Sequence, residues 1–328
     1  MRAFAVHAQA SIETAPLVRE ERPVPTPNPG EALVRVSACG VCRTDLHVVE
    51  GDLTLVASPI VPGHQIVGRV VSDGTRFRVG ERIGIAWLRW TCGTCGYCAG
   101  GRENLCERAR FTGWHADGGY ADYAVVPEAF AYPLPGSLAD AEIAPLLCAG
   151  IIGYRALRLS GVSPGDTLGI YGFGSSASVT IQVARARSVA VFVCTREPGH
   201  RELARAMGAV WVGETLTPMP QPVDGAIIFA PAGELVPVAL RSLARGGTLA
   251  LAGIHMSQVP PLDYETLFQE RRITSVTANT RADGEELLAE AIRIPIRPAV
   301  TAFPLDEANR ALLALKRGSF SGSGVLVP

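Results

Sequence analysis

Lysine is almost missing from this chain: Lys316 stands alone beside many arginines. It lies near the C-terminus, which removes the lysine of a phosphate-binding P-loop and speaks against Schiff-base chemistry and Tyr–Lys dehydrogenase catalysis, both of which need a lysine at the reacting centre. An excess of either charge is missing too: 30 basic residues face 31 acidic ones, for a formal net charge of -1. A nucleic-acid binder built on a basic face is therefore not expected. No apolar run approaches the roughly 18 residues of a membrane helix. The segment Met1–His7 reads as a first strand and has no signal-peptide core behind it, so the expected location is the cytoplasm. Eight cysteines in such a chain point to metal rather than to disulfides.

Hydrophobic residues, at 48%, are plentiful enough for packed cores, and 328 residues suggest about two domains. The first 149 residues read as short strands and turns. Pro23, Pro25, Pro27 and Pro29 forbid helix there, and the runs 32–36, 66–71 and 82–86 have strand character. After Cys148, apolar strands alternate with helical stretches: strand 168–171, helix 179–186, strand 189–194, helix 201–207, then strands at 226–229 and 248–251. Alternation of this kind predicts a parallel sheet with crossover helices. A helix–strand–helix segment from about residue 280 leads to a last strand at 325–327.

The sharpest local signal is Cys92-x2-Cys95-x2-Cys98-x7-Cys106. Four thiolates from one lobe can enclose a tetrahedral ion and leave no position for substrate, so the expectation is a structural zinc. An iron–sulfur cluster is the rival, but the ferredoxin run needs a fourth cysteine after three residues and then a proline. Other ligand types are scattered: Cys39 and Cys42 with Thr44, Asp45 and His47; then His64; then Cys148. Spacing alone does not join them. Further on, Gly172-Phe173-Gly174-Ser175-Ser176-Ala177 follows a strand and opens a helix, as a dinucleotide fingerprint does. Gly172 permits a tight turn, Gly174 lets backbone approach a pyrophosphate, and Ala177 allows close helix–strand packing.

In this order, Gly-Val-Cys-x-Thr-Asp-Leu-His, Pro-Gly-His, the cysteine lobe, Cys-Ala-Gly and the glycine fingerprint resemble the zinc-dependent alcohol dehydrogenases of the medium-chain dehydrogenase/reductase superfamily. The resemblance runs over nearly the whole chain. It implies an α/β protein: a Rossmann-type doubly wound parallel sheet at 150–277, and a mainly β GroES-like catalytic domain at 1–149 completed by 278–328. It also implies two zinc ions. Cys42, His64 and Cys148 would hold a catalytic one, with Cys39 a neighbour and Asp45 orienting the histidine. Cys92, Cys95, Cys98 and Cys106 would hold a structural one.

Three protein ligands leave a fourth position for an alcohol or carbonyl oxygen, so the implied reaction is hydride transfer between alcohols and aldehydes or ketones. Thr44 and His47 match the family's proton relay. Gln65 stands where the family usually carries Glu after the histidine, which removes a negative charge near the metal. Arg43 and the fingerprint residues would contact cofactor. The strand ending at Cys194 is followed by Thr195-Arg196 and no carboxylate, which favours NADP over NAD; His200 or Arg201 could assist, and Glu197 reads as a surface charge. Trp87 and Trp114 would wall the substrate pocket, or else simply pack the core, and Ile151 and Ile152 follow the third ligand.

Polyol or cyclic-ketone oxidation by the same superfamily, and a non-catalytic nicotinamide-binding scaffold, are the alternatives. Keeping every catalytic ligand together with Thr44 and His47 speaks against a scaffold. Self-association as dimer or tetramer is also expected, with the sheet ending near the apolar stretch Leu249–Ile254.

Overall fold

A computed structural model describes residues 1–134 and 136–328, and the chain divides into two compact units. The first comprises Met1–Ala149, Ala278–Ile292 and Pro298–Pro328; the second comprises Gly150–Thr277 and Arg293–Arg297. The return segment expected over 278–328 is thus interrupted, because five of its residues lie with the second unit.

The first unit is built on a seven-stranded sheet around the long strand Glu31–Val41. Its alternating Ala32, Val34, Val36 and Ala38 are buried, so one face of the strand feeds the core. One side of this strand pairs antiparallel with Gln65–Val70. The other pairs with Tyr123–Pro127 along its first half and with Ser323–Val327 near its end. The C-terminal strand therefore completes a sheet begun some 280 residues earlier. Register positions the site: Gly40 lies opposite Gln65, so residues 42 and 64 leave the same end of two neighbouring strands. At that end Val41 gives way to the helix Arg43–Glu50, whose N-cap is Cys42.

The second unit holds six parallel strands in the spatial order Trp211–Gly213, Ala190–Cys194, Thr167–Tyr171, Val223–Ile228, Leu243–Leu251 and Arg272–Ser275. Counted along the chain this is 3-2-1-4-5-6, the doubly wound arrangement whose order reverses beside the first strand. The first strand ends at Tyr171, directly before Gly172. The sheet does not end at 249–254 as expected, but one strand further on. Leu243–Leu251 is interior, and the short, polar Arg272–Ser275 forms the edge beyond it. Among the described residues no helix is long and apolar enough to cross a membrane.

Candidate active site and metal centres

Among the described residues two groups of metal-ligand side chains come together, both in the first unit. Cys42 Sγ, one ring nitrogen of His64 and Cys148 Sγ lie within 4.8 Å of one another, as do the sulfurs of Cys92, Cys95, Cys98 and Cys106. All eight cysteines are free thiols. Within the lobe the Cys95–Cys98 and Cys92–Cys98 sulfurs are 3.5 and 3.9 Å apart. A tetrahedral zinc with bonds of about 2.3 Å to sulfur spaces its ligands at about 3.8 Å, so the thiols fit a single ion. Amides of Thr94 and Cys95, helped by Arg108, pull the Cys92 thiol down to about 5, ready to be a thiolate. The lobe is pinned elsewhere by Glu103, a buried residue inside it, which pairs with Arg281 at 2.7 Å.

The three-ligand group is built by three backbone features. Cys42 caps a helix, His64 precedes a strand, and Cys148 follows the short turn Ala144–Leu147. The Cys42 and Cys148 sulfurs stand 3.9 Å apart. The contact between them lowers the Cys42 thiol well below its ordinary value and, together with burial, holds Cys148 well above its own. His64 is fully buried, and its Nδ1 meets Asp45 Oδ1 at 2.8 Å. A carboxylate only accepts, so Nδ1 carries a proton. The opposite nitrogen, Nε2, is buried without a hydrogen-bond partner. Burial opposes charge on this ring, yet Asp45 and Cys42 outweigh it and push its pKa up to about 10. An orphaned ring nitrogen facing sulfur, in a pocket that favours positive charge, fits a cation held by two thiolates and one imidazole.

Asp45 is the hub beneath this group. Its Oδ1 also accepts from the Gly63 amide at 3.1 Å, and its Oδ2 from the Cys42 amide at 2.9 Å and the Tyr120 hydroxyl at 3.2 Å. Burial and the Asp45 charge raise the Tyr120 phenol well above its ordinary value, so it stays a donor. Thr44 is buried beside the site, and the Cys42 thiol lies 3.8 Å from its hydroxyl. Arg43 is exposed at the first turn of the same helix. His47, one turn on from Thr44, places Nδ1 2.7 Å from Asp52 Oδ2. Sequence reading missed both Asp52 and Tyr120. The signals were Gly51, whose positive φ of 104° turns the chain back after the helix, and the Gly118-Gly119 pair before Tyr120.

Trp87 and Trp114 stack on each other at 6.0 Å, and the Trp87 ring meets the His64 ring edge-on at 4.8 Å. Phe111, not singled out from sequence, stacks on Trp87 at 4.9 Å. Trp87 is buried, while the Trp114 indole donates to the Thr54 carbonyl at 2.9 Å. A separate surface cavity of about 300 Å³ lies beside Glu31, Arg89, Trp90, Arg110 and His115, and none of the candidate site residues lines it.

In the second unit, Gly172 adopts a φ of 85°, and a side chain there would press on the Ala230 backbone. A Cβ at Gly174 would meet no protein atom, which leaves open space above the backbone, as a bound pyrophosphate requires. Gly174 caps the helix Ser175–Ala186, whose first turn offers Ser175 and Ser176 and whose Ala177 is fully buried. Thr195 is buried, its amide donating to Gly213. The Arg196 side chain is 88% exposed and pairs with Glu197 at 2.8 Å. Glu197 is exposed, as expected of a surface charge, and it also serves as the partner of Arg196. Arg201 is engaged with the carbonyls of Thr195 and Arg196, at 3.2 and 2.7 Å. Burial holds the half-buried His200 imidazole below its ordinary value despite Glu197.

Comparison with known proteins agrees with this chemistry. Residues 28–136 match the alcohol dehydrogenase GroES-like domain. The chain is 49% identical to a probable alcohol dehydrogenase, AdhA, of Mycobacterium tuberculosis, over all of this chain and 97% of the relative. It is 35% identical to an alcohol dehydrogenase of Geobacillus stearothermophilus, covering 90% of this chain and 91% of that one. Among solved structures, a cobalt- and zinc-bound thermostable alcohol dehydrogenase from Pyrobaculum aerophilum superposes with a TM-score of 0.88 at 27% identity, over all of this chain and 99% of that one. The chain belongs to the zinc-type alcohol dehydrogenases of the medium-chain dehydrogenase/reductase superfamily, a family of oxidoreductases.

Proposed function

We propose that this protein interconverts alcohols and aldehydes or ketones with NADP(H), using zinc held by Cys42, His64 and Cys148, while Cys92, Cys95, Cys98 and Cys106 hold a second, structural zinc. The observation that carries the reading is the buried His64 ring, with a nitrogen within 4.8 Å of two thiols, Nδ1 committed to Asp45 and Nε2 without a hydrogen-bond partner. With three protein ligands, zinc would supply Lewis acidity to a substrate oxygen, and the nicotinamide would accept or return the hydride.

The chain's own part is orientation and proton transfer. Asp45 accepts from His64 Nδ1 and fixes the ring so that Nε2 faces the sulfurs. Thr44 and His47 sit three residues apart on one helix face, so a proton leaving the substrate oxygen can pass by way of the Thr44 hydroxyl toward His47. Asp52 accepts from His47 Nδ1, which leaves Nε2 as the basic atom of that ring. Trp87 and Trp114 form a flat apolar wall beside His64, suited to medium-chain or aromatic substrates. Around the cofactor, Gly172, Gly174, Ser175, Ser176 and Ala177 would cradle the pyrophosphate. Arg196, with Thr195 beside it, would meet the 2′-phosphate of NADP, and Arg43 would contact cofactor as well.

Self-association belongs to the same reading. Ile254, Tyr264 and Phe268 are exposed, and the last two form an edge-on pair at 5.9 Å, an apolar surface that a second copy would cover. The functional reading is tested by following nicotinamide absorbance across a panel of alcohols and aldehydes. Turnover on at least one class supports it, and a zinc-loaded protein inert with both cofactors on every member contradicts it.

A further inference from the structure

We propose that Tyr120 is a positioning residue for the three-ligand metal site, acting through Asp45 to hold the His64 ring in its metal-facing orientation. This rests on reading Cys42, His64 and Cys148 as metal ligands. Asp45 is almost completely buried, so each carboxylate lone pair left without a donor is costly. Three of its donors, the His64 ring, the Gly63 amide and the Cys42 amide, come from the ligands or their neighbours. The fourth is the Tyr120 hydroxyl, which reaches Oδ2 from a different part of the chain.

Its placement is rigid. The Tyr120 amide donates to the Pro62 carbonyl at 3.0 Å, its carbonyl accepts from Phe4 at 2.9 Å, and Gly119 donates to the Gly63 carbonyl at 2.8 Å. The ring packs so tightly on Gly63 that a Cβ there would lie 2.4 Å from it. Gly63 also sits at a φ of 97°, which only glycine adopts without strain. Tyr120 thus presses on the residue before His64 with its ring and on the orienting carboxylate with its hydroxyl. The ring alone would serve packing. The hydroxyl, buried and aimed at the carboxylate that holds His64, serves the site.

Tyr120→Phe separates the two, because the ring stays and only the donor goes. The full zinc-loaded protein is mixed with excess chromophoric chelator and metal release is followed in time. Wild type should release zinc in two phases, a fast one from the open site and a slow one from the four-cysteine lobe. In Tyr120→Phe the fast phase should accelerate about three- to tenfold, less than the loss seen when a direct partner of a ligand is removed, with the slow phase unchanged. Cobalt placed in the open site should show shifted visible bands in the variant. In an Asp45→Asn background the same substitution should have little further effect. An unchanged fast phase, an equal acceleration of both phases, or a full additional effect on top of Asp45→Asn would each overturn the proposal. A wild-type protein that yields only one zinc would instead overturn the metal reading beneath it.

Discussion

Glu103 and Arg281, 178 residues apart in the chain, meet through a forked ion pair. Glu103 Oε2 accepts from Nη2 at 2.7 Å, and Oε1 accepts from Nε at 3.0 Å and from the Arg281 amide at 2.8 Å. Glu103 lies between Cys98 and Cys106, and Arg281 opens the helix Arg281–Arg293. The cysteine lobe is therefore tied to the return segment of the chain by contacts outside its four thiols.

That tie should be acid-sensitive. Burial raises the Glu103 carboxyl, but Arg281 outweighs it and holds the group below its ordinary value of 4.5. A depressed carboxylate stabilises the fold fully above its unfolded value and loses that contribution as pH falls through the folded one. Thermal melts of Glu103→Gln should sit below wild type at pH 7, by about 1–3 kcal/mol at most because Arg281 is partly exposed. The gap should close toward pH 3. A gap of the same size at both pH values would refute the ion pair's part.

His47 is expected to move a proton, and Asp52 to fix which nitrogen does so. His47→Gln should lower turnover at neutral pH by roughly tenfold to a hundredfold while zinc content stays at the wild-type level. Asp52→Asn should have a smaller effect in the same direction and shift the pH profile, because Nδ1 loses its anionic acceptor. Unchanged turnover in His47→Gln across pH 6 to 9 would remove the relay.

The proposed preference for NADP rests on Arg196, an arginine already paired with its neighbour Glu197. Arg196→Ala should raise the KM for NADP about tenfold to a hundredfold, the size of a lost charge-assisted contact, and leave that for NAD nearly untouched. Glu197→Gln should lower the KM for NADP by freeing Arg196 from the 2.8 Å pair and removing a charge that repels phosphate. Thr195→Asp should turn preference toward NAD. Equal efficiency with both cofactors in the unmodified protein would contradict the assignment.

Much of this was legible in the residues because the relevant constraints are local. The lobe at 92–106 announces itself by spacing, and the βα alternation after Cys148 comes from strand runs bounded by glycine. The open site was different. Residues 42, 64 and 148 share no periodicity, and they meet because antiparallel register sets Gly40 against Gln65 and a turn brings Cys148 alongside. Resemblance could join them where spacing could not. Tyr120 and Asp52 reach their partners through turns that glycines mark, but a lone Tyr or Asp carries no pattern that names the partner. The edge strand was misplaced because Arg272–Ser275 is too short and too polar to stand out from a loop.

Staged removal of metal, with zinc counted per chain, decides whether the three-ligand site carries the reaction. Brief treatment with a mild chelator should take one zinc of two, abolish alcohol oxidation and aldehyde reduction, and leave the circular dichroism spectrum almost unchanged; one equivalent of zinc should then restore activity. A protein that holds a single zinc, or that keeps full turnover after losing the labile one, would contradict the account.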